Sequence, residues 1–121
     1  MKRLFTVGPH VIDMDRLFHV YIGSEEPFVH IMAGTAFLTH QFPDAKTRNE
    51  KGTILARKAD LYQVGETHFV KLGAIDSVHQ VIKENKFVSY IVAGVEKLVE
   101  FDDPITAFEH QRKLIENWMK S

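Results

Sequence analysis

Apolar and polar residues alternate with period two through most of the first two-thirds of the chain. "RLFHVYIG", "PFVHIMAG", "TAFLTHQF", "DLYQVGETHFVKL" and "FVSYIVAG" are rich in β-branched and aromatic residues and are bounded by Gly or Pro. Alternation of this kind is the pattern of half-buried β-strands. Gly65-Glu66 fits a two-residue turn with Gly first, which predicts a hairpin pairing Tyr62 with Phe69, Leu61 with Val70 and Asp60 with Lys71. Gly34-Thr35 predicts a second hairpin, with Met32 facing Phe37 and Ile31 facing Leu38. "HVIDMDRLFHVYI" reads as a third, turning at Asp13 to Arg16 and setting Ile12 opposite Leu17, Val11 opposite Phe18 and His10 opposite His19.

Three stretches depart from this alternation. "PDAKTRNEKG" is polar without a period and predicts a long loop, the start of a basic segment reaching residue 58. "IDSVHQVIKENK" carries two signals. Ser77 and Gln80 match a capping box ahead of Ile75, Val78 and Ile82, whereas its β-branched residues and "KENK" suit a strand turning into "FVSYIV". Residues 76–84 therefore read as a short helix or as a strand. The end reads as a helix over 104–120, capped by Asp103, with Pro104 at the first helical position. Its predicted apolar stripe is Ile105, Phe108, Ile115, Trp118 and Met119, flanked by Ala107 and Leu114, with Gln111 near its centre.

These elements predict an α+β, β-rich fold. A curved antiparallel sheet or partial barrel of hairpins packs against the C-terminal amphipathic helix, in one domain spanning 1–121. The element order resembles that of pleckstrin-homology-like domains, whose curved antiparallel sheets are closed by a C-terminal helix that often carries a tryptophan, as Trp118 does here. That resemblance carries no functional residue over. An α+β sheet with one helical face is the equal alternative.

Composition narrows the chemistry. With 15 basic against 16 acidic residues the net charge is −1, which excludes a surface built throughout for nucleic acid. A local patch remains: Lys46, Arg48, Lys51, Arg57 and Lys58 stand against Glu50 alone, in a segment without aromatic residues. The absence of cysteine excludes disulfides, thiolate nucleophiles and cysteine-bound zinc. The N-terminal stretch has no long apolar region and no window reaches a membrane span, so the expectation is a soluble, cytoplasmic protein with no membrane partner.

Candidate chemical groups concentrate in "GPHVIDMDRLFHVYIG", which holds His10, Asp13, Asp15 and His19. Opposed across a hairpin, His10 and His19 would share a metal only if a third ligand such as His30 or His79 joined them. Asp13 and Asp15 are explained as turn formers. There is no nucleophile elbow and no phosphate-cradling glycine loop, so no catalytic residue and no cofactor is assigned. The functions rank as follows. First is a non-catalytic protein-binding or regulatory module, self-associating as a homodimer through Gln111, Trp118 and Met119. Second is nucleic-acid contact through residues 46–58. Third is a histidine-based metal-dependent enzyme using His10 and His19. Gln111 has an intramolecular alternative, a hydrogen bond from its amide to the end of a sheet strand.

Overall fold

A computed structural model describes residues 2–83, 86–93, 96–101 and 104–121. Its order is β1 (Leu4–Val7), β2 (His10–Asp13), β3 (Leu17–Tyr21), β4 (Phe28–Ala33), β5 (Ala36–Gln41), α1 (Ala45–Lys58), β6 (Tyr62–Val64), β7 (His68–Val70), β8 (Ser77–Lys83), β9 (Lys86–Ala93), β10 (Glu96–Phe101) and α2 (Pro104–Lys120), with a 3-10 turn at Leu72–Ala74. All strand pairs are antiparallel. The fold is α+β, as the alternation predicted. Contacts divide it into two compact units, Met1–Lys71 and Leu72–Ser121.

The first unit holds the sheet β5-β4-β3-β7-β6 and the separate pair β1-β2. One face of the five-stranded sheet presents Val20, Ile22, Val29, Ile31 and Phe69, all buried. Leu55, Ala56 and Ala59 of α1 and Val7, Ile12 and Met14 of the β1–β2 region belong to the same apolar cluster. A β-bulge between Leu17 and His19 resets the alternation in β3, and Leu17 as well as Val20 is fully buried. The five strands form a sheet with β5 and β6 at its two edges.

α1 occupies the segment expected to be a loop. Asp44 caps it by accepting from the Thr47 N–H at 2.7 Å. Its inner face is Arg48, Gly52, Leu55 and Ala56. Small residues are required there because the helix rides close on the sheet. A Cβ on Gly52 would lie 2.5 Å from Cγ2 of Ile22.

The Gly34 hairpin has the predicted register, with Met32 opposite Phe37 and Ile31 opposite Leu38. Gly34 supplies the positive φ of the turn, at 59°. The Gly65 hairpin is shifted by one residue. Tyr62 faces Val70 and Val64 faces His68, leaving three residues in the turn. The third predicted hairpin does not form. β2 pairs with β1, whereas β3 lies between β4 and β7. In that place Val20 of β3 is level with Ile31 and Phe69, and all three are buried.

In the second unit β9 is central, flanked by β8 and β10. Residues 77–83 are therefore strand, and the helical alternative is discarded. α2 has the predicted span, while its expected cap Asp103 lies outside the described residues. The predicted stripe is not the buried one. Ile105, Phe108 and Met119 are 73%, 60% and 81% exposed, whereas Gln111 and Leu114 are buried and Trp118 is half-buried. The i, i+3, i+7 spacing of 111, 114 and 118 defines the inner face.

Candidate functional site

The two histidines expected to oppose each other lie on different sheets. His10 is level with Val7 of β1, and His19 is level with Met32 and Val70. Among the described residues no group of three or more potential ligands gathers around one point. The partner of His19 is instead His68, 49 positions away, with Nε2 of His19 and Nδ1 of His68 3.1 Å apart.

The ring centroids of this pair are 5.4 Å apart and the planes differ by 10°. An imidazole nitrogen sits roughly 1.1–1.2 Å from its ring centre. The centroid separation therefore equals the N···N distance plus one such step at each end. The rings meet edge to edge in nearly one plane, with the two nitrogens on the line between their centres. That is the geometry of a single N–H···N hydrogen bond, in which one ring donates and the other accepts. A zinc ion bound to both nitrogens would have to sit off this line, whereas both ring nitrogens point along it at each other.

The environment enforces neutrality. Burial, aided by repulsion from His68 and His30, pushes the His19 pKa down to about 3. Burial alone lowers that of His68 to about 4. The row continues across the same sheet face. Tyr21 stacks on His68 at 4.5 Å and lies 5.7 Å from His30. His30 in turn neighbours Phe28 and Phe37. Partial burial, with the Arg48 charge beside it, lowers the His30 pKa as well.

The basic segment sorts into two kinds of residue. Arg48 is buried. Its Nη1 contacts the carbonyl oxygens of Ser24, Glu26 and Phe28 at 3.1 Å each, and its Nε donates to Asn49 Oδ1. It holds the irregular β3–β4 connection and is not available to a ligand. Lys46, Lys51, Arg57 and Lys58 are exposed on α1. Over twelve helical steps of 1.5 Å they span roughly 18 Å. The Lys58 ammonium lies 5.4 Å from the Phe5 ring centre, and Arg3 nearby is held by Asp15 at 2.9 Å.

Of the residues assigned to a dimer contact, Gln111 is turned inward. Its Nε2 donates to the His79 carbonyl at 3.0 Å, which is the intramolecular alternative. Trp118 is half-buried and Met119 is exposed. The sequence concealed His68, placed near a hairpin tip by a register one residue off, and the structural role of Arg48. Asp44 following Pro43 was the available signal for α1.

No protein-family model matches the sequence, and no curated protein matches it significantly. Among solved structures the chain is similar to the LytTr DNA-binding domain of a protein described as a methyl-accepting/DNA response regulator from Bacillus cereus. The two share 13% sequence identity, the match covers 94% of this chain and 95% of that one, and the TM-score is 0.54. The likeness is one of fold.

Proposed function

We propose that this chain contacts double-stranded DNA, with Lys46, Lys51, Arg57 and Lys58 of α1 laid along the phosphate backbone. The observation that carries this reading is fold agreement, over nearly the whole of both chains, with a domain described as DNA-binding. Fold does not fix function, so a surface of suitable chemistry must accompany it. α1 offers exposed cations over roughly 18 Å of its length, paired as Lys46 with Arg57 and Lys51 with Lys58 about 120° apart around the axis, a length covering several phosphates. Arg48 takes no part. A protein of net charge −1 has little non-specific attraction elsewhere, so contact is confined to that helix and sensitive to salt.

Fluorescence anisotropy on a labelled duplex tests this. Four phosphate contacts give a slope of log K against log salt of about −3.6, and each lost cation removes about 0.9 of it. Lys46→Glu combined with Arg57→Glu, both exposed, should abolish binding at low salt while leaving the thermal melt unchanged. No binding at low salt by the wild type, or equal binding by the variant, would sink the reading.

The protein-binding reading stands second. It is favoured by the apolar side chains that α2 leaves exposed, Ile105, Phe108 and Met119. If duplex binding is absent and Phe108→Ser abolishes recovery of a specific protein partner, that reading takes precedence.

A further inference from the structure

β5 is an edge of the five-stranded sheet, and among the described residues no strand pairs with its outer side. It is six residues long, pairs with β4 without a register shift, and contains no charged residue and no proline. Natural edges of this length are normally blunted by Lys, Pro or a bulge. The opposite edge, β6, has only three residues.

The outward-pointing backbone can be identified. Phe42 donates to the Pro27 carbonyl at 2.9 Å, which fixes the alternation of the antiparallel ladder. Ala36, Leu38 and His40 use their backbone groups toward β4, and Phe37, Thr39 and Gln41 point theirs away. Among the described residues none of those outward groups has a hydrogen-bond partner. The same three side chains are exposed, Phe37 at 61%.

We propose that β5 pairs with β5 of a second copy of this chain, antiparallel about a two-fold axis, to make one continuous sheet across the dimer. This goes beyond the DNA reading and does not depend on it. In the register that uses all three outward residues, Thr39 faces Thr39 of the second copy and Phe37 faces Gln41, each pair exchanging two backbone hydrogen bonds. A strand meeting itself in this way places like residues together at the axis. β5 is suited to that because it has no charge to repel its own image, and a Thr–Thr pair is favourable there. The same register sets Asp44 of each copy level with Gly34 of the other, where the Arg16 guanidinium packs. Each end of the contact thus brings a carboxylate of one copy toward a guanidinium of the other. A foreign peptide would find the backbone groups but not this self-complementary register.

An edge this short buries less than the roughly 1,200 Å² of a standard interface, so a dissociation constant in the micromolar range is expected. Sedimentation velocity of the full chain over that range is the test. The wild type should dimerise. Thr39→Lys, which sets two ammoniums against each other, should be monomeric with an unchanged melt. Thr39→Pro should also be monomeric, since position 39 donates outward and its loss spares the ladder with β4. Thr39→Cys should form a disulfide-linked dimer under mild oxidation. A wild type that stays monomeric at high micromolar concentration overturns the proposal. So does a dimer that Thr39→Lys leaves intact, which would place the contact elsewhere, for instance on α2.

Discussion

His19 and His68 share one hydrogen between ring nitrogens 3.1 Å apart, and burial keeps both rings neutral. The folded pKa values, about 3 and about 4, lie below the ordinary 6.5. Between these limits the unfolded chain binds protons that the folded chain refuses. Stability is therefore fully present above pH 6.5 and falls as the pH drops through the window toward 4 and then 3. The expected loss by pH 5 is on the order of 2 kcal/mol per histidine. Melting curves at neutral pH and near pH 5 measure it, and the double variant His19→Leu, His68→Leu should flatten the dependence. An equal acid shift in that variant would assign the effect to other groups.

Arg48 is expected to be a stability residue. Arg48→Met keeps the aliphatic stem and leaves the carbonyls of Ser24, Glu26 and Phe28 without their donor. Each unsatisfied buried acceptor costs about 1–3 kcal/mol, and partial access of water should limit the total to about 2–4 kcal/mol. Urea denaturation reads this directly. A change below about 0.5 kcal/mol would show that the connection holds itself.

Gly52→Ala is expected to destabilise, although alanine is the better helix former by about 1 kcal/mol. The new methyl would meet Cγ2 of Ile22 at 2.5 Å, a clash within a packed core that costs about 1–3 kcal/mol. A thermodynamic cycle with Ile22→Ala isolates the clash. The second substitution should recover part of the loss, and strict additivity would place the cause elsewhere.

Gln111→Glu is expected to weaken the fold without changing the oligomeric state. A carboxylate cannot donate to the His79 carbonyl 3.0 Å away, and repulsion there costs about 1–3 kcal/mol. Denaturation and sedimentation of the same sample separate the two effects. Dissociation of a dimer into a folded monomer would return Gln111 to an interface.

The local features of this fold were legible in the sequence. Gly34-Thr35 set its hairpin register, and Pro104 with the following 3.6 period set the span of α2. What escaped depended on sequence-distant partners. α1 buries an arginine, a glycine and small aliphatic residues, so its inner face leaves almost no apolar period. β3 chooses β7 over its neighbour β2, which no local spacing encodes. His68 reaches His19 only through the pairing of β7 with β3, which sets it level with Tyr21. On α2, Phe108 and Leu114 are equally apolar in composition, and only the sheet beneath decides which is covered.

The missing side chain at Gly52 also constrains motion. The Ile22 methyl occupies the space where any other residue would carry its Cβ, and it seats α1 like a key in a slot. A helix held in this way cannot roll about its axis or slide by a turn without driving a larger residue onto that methyl. The bearing of Lys46, Arg57 and Lys58 relative to the strands is thereby set by packing, and their flexible side chains work from a fixed rail.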